Sequence, residues 1–426
     1  MRKVYACKNL FHQKLIEGSL SEYQSSCLLT NNSRSGKFDF LLAVGVIGEI
    51  EAEAGNGFEE LKKFYESKKD WLFGYLSYDV KNEIENLSSN NFDGLNFPVL
   101  HFFQPEYVFI FKNEMLEVHY PYGYSENRVK DFLDRLCHAK YENLQQEIIQ
   151  LSLNIKSRIT KKAYLKSVSD IKNHIKKGDV YEMNFCQEFY AENAIIDPFQ
   201  VYLKLNRVSP MPFSCFYRNK DKYLMCASPE RFLKKEGSKI ISQPIKGTIK
   251  RGATPKEDEV LKNELLNDPK ERSENVMIVD IVRNDLSRTA KKGSVKVDEL
   301  FGIYSFPQVH QMISTVSSEL REDINFIDAI KYAFPMGSMT GAPKIKAMEL
   351  IEKYETTKRG LYSGAAGYIT PGGDFDLNVV IRSILYNETE KYLSFTVGSA
   401  ITHHSIAESE YEECLLKAKA MFEVLT

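Results

Sequence analysis

The chain has 426 residues, of which 43% are hydrophobic and 12% aromatic, so it can bury a large core. That length predicts two or three domains, or one unusually large domain. The net charge of −2 provides no strong attraction to nucleic acids or anionic membranes, and we expect neither as a partner.

The amino terminus and the cysteines indicate a cytoplasmic protein. Residues 1–7 are not followed by the long apolar stretch of a signal peptide. The longest apolar run, residues 38–47, contains Asp39 and is too short to cross a bilayer. The cysteine count of seven is odd and no C-x-x-C pair occurs, which favours reduced thiols. We therefore expect a cytoplasmic localisation and no membrane segment.

The first part of the chain reads as one structural unit, residues 1–150. It contains strand-like runs at residues 71–76 and 107–111, separated by turns rich in Asn, Ser and Gly. The polar, helix-prone residues 125–150 lead out of this unit. These patterns predict sheet structure followed by a connecting helix.

The second part mixes helices and strands without the strict alternation of a parallel sheet. Thr160 is typical of a helix N-cap, and we expect that helix to end at Gly178. Short alternating runs predict strands at residues 222–227, 239–245, 363–370, 378–386 and 391–401. The expected fold class is therefore α+β with large antiparallel sheets.

The hexapeptide PIKGTI, residues 244–249, places Lys246 between an apolar residue and a flexible turn at Gly247. Upstream, the segment SPERF contributes the carboxylate of Glu230. A lysine in a partly apolar pocket can lose its proton and attack carbon, while a carboxylic acid can protonate a leaving hydroxyl. The alternative is a hairpin with a solvated lysine, which an isolated Lys-Gly pair would favour.

A helix that begins near residue 268 presents two carboxylates on one face. Asp268 can cap it, Pro269 occupies the first helical position, and Glu271 stands at the third. Glu274 lies on the same face, where a second negative charge is costly without a cation. Glu271 has a plain capping role as its alternative.

The C-terminal helix shows a matching stripe formed by Glu410, Glu413 and Lys417, while Leu415, Leu416 and Met421 are expected to face the core. Carboxylates from two helices, together with waters and a substrate oxygen, are a typical Mg²⁺ environment. Either acidic face taken alone would more often be simply solvated.

The loop MGSMTGAPK, residues 336–344, leads into a helix expected at residues 345–354. A glycine-bearing loop at a helix start presents N–H groups and hydroxyls to an anion. The GxxxxGK[ST] spacing of a nucleotide-binding P-loop is absent, and an ordinary N-cap is the alternative. The sequence thus indicates an anion site without indicating a nucleotide.

Three further features suit the recognition of carboxylates. The small-residue segment Gly398-Ser399-Ala400 ends a predicted strand and can add backbone donors. Tyr362 and Arg382 add a phenol and a guanidinium. Arg382 is expected within an alternating strand, so a structural ion pair is its alternative role.

Five motifs occur in a specific order from about Thr160 to the C-terminus: SPERF, PIKGT…RG, ERSENVMIVDIVRND, GSMTGAPKIKAMELI and ESEYEE. In these motifs the chain resembles the chorismate-utilising enzymes, and WLFGYLSYDVK extends the resemblance more loosely to the N-terminal part. The resemblance implies a layered antiparallel β-sandwich with helices packed outside. Residues 1–150 would form its N-terminal portion, and residues 158–426 the chorismate-binding catalytic portion.

The resemblance also implies a reaction. The anthranilate synthases of this family usually carry alanine where Lys246 stands, whereas the aminodeoxychorismate synthases carry lysine. By that resemblance, Lys246 attacks C2 of chorismate, Glu230 protonates the departing C4 hydroxyl, and ammonia adds at C4 to give 4-amino-4-deoxychorismate for folate synthesis. A free lysine has a pKa of about 10.4, so we expect the site to lower the pKa of Lys246.

The remaining site residues are likewise implied by the resemblance. Mg²⁺ would be held by Glu274 and Glu413, with Glu410 and Glu271 in support, and would bind the ring carboxylate. The substrate would be lined by Gly247, Thr248, Ser338, Thr340, Tyr362, Arg382, Gly398, Ser399, Ala400 and Lys417.

No amidotransferase motif of the G-x-C-x-G type is present in the sequence. We therefore expect ammonia to come from a separate glutaminase subunit, with free ammonium used when that subunit is absent. The alternative enzyme is anthranilate synthase component I. A catalytically silent, chorismate-binding regulatory subunit is a third possibility, against which the combination of Lys246, Glu230, Glu274 and Glu413 argues.

The chain also departs from the family pattern. Glu182 stands where glutamine is usual in the aminating branches and lysine in the isochorismate formers, so the base that activates water is missing. A carboxylate there could instead help to deprotonate ammonium. Gln311 replaces a common histidine and Ala400 a common glycine. The segment CLLTNNS lacks the LLES sequence linked to tryptophan feedback, so we do not expect inhibition by tryptophan.

Overall fold

The computed structural model describes residues 2–8, 12–33, 37–53, 55–138 and 153–426. Its strands are β1 (Arg2–Lys8), β2 (Ser25–Thr30), β3 (Phe40–Val44), β4 (Gly48–Ala52), β5 (Leu72–Leu76), β6 (Leu100–Gln104), β7 (Tyr107–Lys112), β8 (Met115–Pro121), β9 (Lys156–Ser157), β10 (Glu182–Ala191), β11 (Phe213–Asn219), β12 (Lys222–Ser228), β13 (Arg231–Glu236), β14 (Lys239–Gln243), β15 (Ile245–Lys250), β16 (Lys296–Ser305), β17 (Val309–Glu319), β18 (Gly341–Ala342), β19 (Ala365–Ile369), β20 (Phe375–Val379), β21 (Ser383–Asn387) and β22 (Tyr392–Ile401). Its α-helices are α1 (His12–Glu22), α2 (Gly57–Lys68), α3 (Glu126–His138), α4 (Lys161–Lys177), α5 (Pro198–Val208), α6 (Pro255–Asn267), α7 (Pro269–Ser287), α8 (Phe326–Ala333), α9 (Lys344–Tyr354) and α10 (Ala407–Leu425).

The strands of the described ranges assemble into two antiparallel sheets. The first sheet has the order β1-β8-β7-β3-β2-β11-β12-β21-β22-β10-β18, with β9 beside β10. The second has the order β15-β17-β14-β13-β20-β19-β5-β6-β4, with β16 beside β17. Strand β2 lies between β3 and β11, and β5 lies between β6 and β19, so each sheet combines early and late parts of the chain.

The first sheet is covered on both faces, and the alternation of its side chains shows how. In β3, Leu41 and Ala43 belong to the core between the sheets, whereas Phe40, Leu42 and Val44 belong to a second core. That second core also contains residues of α1, α3, α4, α5, α9 and α10. Successive residues of a strand point to opposite faces, so a strand that is apolar throughout fits only between two apolar layers. The expected layered sandwich with outer helices is confirmed.

Local signals placed both ends of α4 correctly. Thr160 accepts a hydrogen bond from the Ala163 backbone N–H, and Gly178 closes α4 with φ of 82°. The strand predicted at residues 378–386 is wrong, because the chain leaves the second sheet after β20 and enters the first at β21. Arg382 makes that turn with φ of 51°.

Helices α3 and α10 differ from the expectations for residues 125–150 and 415–421. Leu416 is 71% exposed and does not face the core as expected, although Met421 is fully buried. The helix expected at residues 125–150 is observed as α3, and its predicted continuation at 139–150 lies outside the described residues. Within the described ranges, no helix combines the length and apolar character needed to cross a membrane.

Candidate active site

Lys246 and Glu230 are brought together by an irregular strand and a short connection. Glu230 stands between β12 and β13, and Lys246 stands in β15, whose register against β17 shifts between Ile245 and Thr248. Gly247 occupies this bulge with φ of 93°, a left-handed conformation that favours glycine. The Ile245 backbone N–H donates a hydrogen bond to the Glu230 carboxylate. The two predicted catalytic residues therefore lie in one site.

Lys246 is buried and paired. Its side chain is 11% exposed, and Nζ donates a hydrogen bond of 2.5 Å to Oε1 of Glu182 in β10. The Glu182 side chain is fully buried, and its register partner is Ala342 in β18. A solvated hairpin lysine is therefore excluded as the role of this residue.

The expected lowering of the Lys246 pKa is wrong for the protein without ligands. Burial lowers the pKa of the amine, but the carboxylates of Glu182, Glu274 and Glu271 raise it by more, and the net pKa is raised. The resting side chain is thus an ammonium ion held by acidic neighbours. Its proton must be removed before the nitrogen can act as a nucleophile.

Glu230 has the environment of a general acid. It is 4% exposed, and the Ser338 hydroxyl donates a hydrogen bond of 2.6 Å to Oε1. Burial raises the pKa of Glu230 to about 7, and the hydrogen bonds and Lys246 only partly oppose that rise. A carboxyl group with this pKa holds a proton near neutral pH and can give it to a leaving group.

The starts of α7 and α10 form an acidic cluster around Lys270. Burial lowers the pKa of Lys270, but Glu274, Glu410, Glu271 and Glu413 raise it by more, and the net pKa is raised. All four predicted metal-binding carboxylates therefore lie near one cation. Helix α7 contributes two of them and α10 the other two.

Glu271 does not complete the capping arrangement that was its alternative role. Asp268 accepts hydrogen bonds from the backbone of Lys270 and Glu271, but its own N–H bonds to the Leu265 carbonyl. The Glu271 carboxylate instead lies beside Gly247, where a Cβ atom would stand 3.2 Å from Oε2. The acidic cluster thus adjoins the backbone next to Lys246.

The donor set of this cluster fits Mg²⁺, an ion that prefers oxygen ligands. Glu274 is 7% exposed, its Oε1 has no hydrogen-bond partner in the described part of the chain, and the Lys270 ammonium is 3.8 Å away. Burial raises the pKa of Glu274 to about 7. In the described ranges, no group of three or more His, Cys, Asp or Glu side chains is close enough to hold a metal without rearrangement. Binding of a divalent ion would therefore require these carboxylates to move closer together.

Arg382 is a half-buried cation that lacks a counter-charge. Among the described residues its guanidinium has neither an ion pair nor a hydrogen bond, so the structural ion pair considered above is absent. Burial lowers its pKa to about 10, and no neighbouring charge opposes this. The Tyr362 phenol is 3.8 Å from the Cys186 sulfur, and the next residue, Ser363, bonds to Val380 just before Arg382. An unpaired guanidinium of this kind is suited to a ligand carboxylate.

The end of β22 lies beside β10. Lys417 donates hydrogen bonds of 2.9 Å to the Gly398 carbonyl and 2.7 Å to Glu413, so it links the segment to the acidic cluster. Gly398 faces Cys186 so closely that a Cβ atom would lie 2.4 Å from its sulfur. The Ser399 hydroxyl lies 3.3 Å from the Tyr164 phenol.

Three other residues were predicted to line the substrate, and the structure shows them hydrogen-bonded within the protein or exposed. Ala400 pairs with Asn184 in β10, and its carbonyl accepts a hydrogen bond of 3.4 Å from Ser405. Thr340 is fully buried, and its hydroxyl donates to backbone carbonyls of its own loop. Thr248 is exposed in β15. A direct contact between the Thr340 hydroxyl and a ligand would require breaking these hydrogen bonds.

A family model described as chorismate binding enzyme matches residues 25–423. The chain belongs to this family. The aminodeoxychorismate synthase component 1 of Bacillus subtilis is 33% identical over 363 residues, which are 82% of this chain and 75% of that protein. The chloroplastic aminodeoxychorismate synthase of Arabidopsis thaliana is 35% identical over 413 residues, 92% of this chain and 44% of that protein. The chain thus spans less than half the length of the plant relatives that it matches.

A solved structure, the anthranilate synthase component I of Streptococcus pneumoniae, superposes with a TM-score of 0.80 at 28% identity. The match covers 92% of this chain and 93% of that one. This likeness supports the family fold over almost the whole length of the chain.

Several residues that support the site of this chorismate binding family member were missed by the sequence analysis. Arg359 forms hydrogen bonds of 2.9 and 2.7 Å to Glu355 and donates to the carbonyls of Met339 and Asn184. It thereby ties the loop before α9 to β10. Both residues follow the end of α9, where the i, i+4 rule of helices does not apply, so no local pattern predicts this pair.

A second missed pair involves two of the quoted motifs. Lys344, at the start of α9, donates a hydrogen bond of 2.6 Å to Asp285 near the end of α7. Both side chains are largely buried, and burial raises the pKa of Asp285. This pair fixes the loop that bears Ser338 against the helix that bears Glu274. No local pattern predicts it, because the residues are far apart in sequence.

Gln311 stands where the resemblance led us to expect a histidine. Gln311 is buried, and its amide oxygen has no partner among the described side chains and backbone groups. The adjacent His310 is engaged elsewhere, with Asp258 at 2.8 Å and Ser305 at 2.9 Å. His310 therefore does not take the place of the missing histidine.

Proposed function

We propose that this protein catalyses the amination of chorismate at C4 to 4-amino-4-deoxychorismate, on the route to para-aminobenzoate and folate. The observation that most supports this proposal is the burial of Lys246 beside Glu230 and the acidic cluster. An aminating site that used only ammonia would have no need of a buried lysine. The names of the similar proteins from Bacillus subtilis and Arabidopsis thaliana agree with this choice.

In the first step, Lys246 acts as the nucleophile. Lys246 first loses one proton to water. Its nitrogen then forms a bond to C2 of the ring, the two ring double bonds shift, and the C4–O bond breaks. Once bonded to C2, the nitrogen loses a second proton to water and becomes a neutral amine. Glu230, with its pKa of about 7, supplies the proton that turns the departing hydroxyl into water. The product of this step is an amine adduct joined to the enzyme at C2.

In the second step, ammonia forms a bond to C4. The double bonds return to their original positions, and the C2–N bond to Lys246 breaks. The overall change is replacement of the C4 hydroxyl by an amino group, with water as the other product. Lysine is regenerated and Glu230 regains a proton from water, so the cycle can repeat.

Arg382 and the N–H groups near Gly398 would bind the carboxylates of chorismate. The guanidinium is suited to this role because no protein carboxylate in the described ranges competes for it. Ser338 holds Glu230 in place, and Tyr362 lies on the wall formed by β10 and the turn before Arg382. These residues would orient C4 toward the acid and C2 toward the lysine.

Mg²⁺ is the cation that the carboxylates of Glu274, Glu413, Glu271 and Glu410 would hold. When bound, it would attract the ring carboxylate of chorismate and offset the negative charge of the cluster. Its requirement can be tested by chelation. The proposal for the two chemical steps depends only on Lys246 and Glu230.

We further propose that a separate glutaminase subunit supplies ammonia and that the protein works in the cytoplasm. The name "component 1" of the similar bacterial proteins fits a second subunit. None of the cysteines stands in a G-x-C-x-G motif. Glutamine-dependent turnover by this chain without a partner would contradict this part of the proposal.

Mass spectrometry of the products formed from chorismate, Mg²⁺ and ammonium tests the function directly. We expect 4-amino-4-deoxychorismate, with para-aminobenzoate appearing only after addition of the corresponding lyase. Anthranilate, which is fluorescent and needs no further lyase, would instead identify the second branch of the family. Absence of any product from chorismate would favour a catalytically silent subunit.

A further inference from the structure

Glu182 has one oxygen engaged and one oxygen free. Oε1 accepts the 2.5 Å hydrogen bond from Lys246, whereas Oε2 has no hydrogen-bond partner among the described residues. The side chain is fully buried, and the surrounding strands hold it in place. A buried carboxylate oxygen without a donor is costly, so this atom is a candidate for binding a missing donor.

The charges nearby favour a cation as that donor. Glu182 lies close enough to Glu274 to raise its pKa, and Glu271 lies close enough to raise the pKa of Lys246. Lys246 is the cation that is hydrogen-bonded to Glu182. An anion or a neutral apolar group would therefore be disfavoured at Oε2.

The proposed reaction removes the cation that Glu182 depends on. Once Lys246 is bonded to C2 as a neutral amine, the buried carboxylate has lost its partner. Leaving one member of a buried ion pair unpaired is strongly unfavourable. A second small cation with N–H donors would again neutralise the Glu182 carboxylate. It would do so at the stage when the reaction needs its nitrogen source.

We propose that Glu182 is the binding site for the ammonium substrate, with Oε2 as the first acceptor and Oε1 as the second once Lys246 has reacted. This inference rests on the proposed function and extends it. Ammonium gives one proton to Glu182, and the ammonia that remains forms the C4–N bond. The departing lysine nitrogen takes that proton back from Glu182. It takes a second proton from the new amino group and returns as an ammonium ion.

The site can be tested for binding without any turnover. In K246A the internal cation is absent, so Glu182 is open to an external one. We expect the melting temperature of K246A, measured at pH 8 with EDTA, to rise in ammonium chloride relative to sodium chloride at equal ionic strength. Tetramethylammonium chloride, which has the charge but no N–H group, should give no rise. The double variant K246A/E182Q should lose the response to ammonium.

The kinetic test uses the E182Q variant with Lys246 intact. A hydrogen bond to a charged group contributes enough that we expect KM for ammonium to rise about 10-fold or more, with KM for chorismate little changed. E188Q is the matched control, since Glu188 is also buried in β10 but is fully paired with Arg158 and Tyr392. KM for ammonium should not change in this control.

The outcomes separate the two proposals. An unchanged KM for ammonium in E182Q would overturn the ammonium site, as would an equal rise in both KM values, which would leave Glu182 only the task of holding Lys246. A melting response that K246A/E182Q retains would overturn it as well. If the unaltered protein forms no 4-amino-4-deoxychorismate, the proposed function fails, while the melting experiment still decides whether Glu182 binds ammonium.

Discussion

The Ser338 hydroxyl lies 2.6 Å from Oε1 of Glu230, and it reaches this carboxylate from a loop more than a hundred residues further along the chain. The hydrogen bond fixes the direction of the carboxyl group without removing its proton affinity, since burial still raises the pKa to about 7. A correctly oriented acid that keeps its proton near neutral pH is what the departure of a hydroxyl requires.

We predict that E230Q lowers kcat by about 10²- to 10⁴-fold, the usual contribution of a general acid. In the unaltered protein, kcat should fall as pH rises above 7, because Glu230 then loses its proton. The residual activity of E230Q should lack that fall. Steady-state kinetics between about pH 6 and pH 9, a range that spans the pKa of about 7, provide the measurement.

The same residue should influence stability. The folded pKa of about 7 exceeds the ordinary value of 4.5, so between these values the unfolded state ionises first and the free energy of unfolding falls as pH rises. The loss reaches about 3 kcal/mol at most. E230Q should therefore be more stable than the unaltered protein above pH 7 and similar near pH 4. Urea titrations with EDTA test this, and a parallel pH dependence in both proteins would contradict it.

The pair between Lys246 and Glu182 predicts a distinctive pattern of stability. K246A leaves a fully buried carboxylate without its cation and should lower the free energy of unfolding by about 3–5 kcal/mol. The double variant K246A/E182Q should recover much of this loss. K250A, an exposed lysine in the same strand, is the control and should change little. Denaturant unfolding curves give these free energies.

K246A should also lose or redirect amination, because it has no amine to attack C2. Mass spectrometry of the intact protein during turnover should show a chorismate-derived adduct in the unaltered chain and none in K246A. An undiminished rate of 4-amino-4-deoxychorismate formation by K246A would remove lysine from the mechanism.

Arg382 should matter for the substrate and little for the fold. Its guanidinium is desolvated without a carboxylate partner among the described residues, so R382M should leave the free energy of unfolding unchanged or slightly raised. KM for chorismate should rise about 10- to 100-fold, as expected for loss of hydrogen bonds to a charged ligand. R382K keeps the charge but not the bidentate geometry and should recover only part of the affinity. A structural role for Arg382 would instead lower the free energy of unfolding in R382M. Unfolding curves and steady-state kinetics distinguish the two roles.

The acidic cluster predicts weaker binding of Mg²⁺ in E274Q. Glu274 has a buried oxygen without a hydrogen bond, and its loss should raise the apparent Kd for Mg²⁺ by at least about 10-fold. E412Q is the control, because Glu412 is exposed on α10 and pairs with Lys161. The shift of melting temperature with MgCl₂ concentration, which needs no turnover, reports the affinity. Equal Mg²⁺ responses in E274Q and E412Q would place the ion elsewhere.

Local chemistry explains why some of this structure could be predicted from the sequence. The cap at Thr160 and the closure at Gly178 depend on residues only a few positions apart, and both were correct. The strand expected through Arg382 failed because the alternating pattern continues while the chain passes from one sheet to the other. Alternation of apolar and polar residues shows which side chains of a strand are buried. It does not show which of the two sheets the strand joins.

The electrostatics of the site depended on distant parts of the chain. The pKa of Lys246 was expected to fall with burial, and burial does lower it, but Glu182 from the other sheet, together with Glu274 and Glu271, reverses the net shift. Leu416 shows a simpler limit, since adjacent helical residues lie about 100° apart and only Leu415 of this pair packs against the core. The motifs predicted which residues lie in the site. They did not predict that β10 would place the Glu182 carboxylate against the Lys246 ammonium.

Strand β5 pairs with β19, and β2 pairs with β11. Neither sheet is therefore complete until later segments of the chain have been synthesised. On the ribosome, the emerging first third of the polypeptide consequently exposes unpaired strand edges of the kind that promotes aggregation. Cutting the gene between the two portions would yield fragments that must reassemble with each other to acquire a native state. Both sheets therefore reach their full set of strand pairs only after segments from the middle and the end of the polypeptide have left the ribosome.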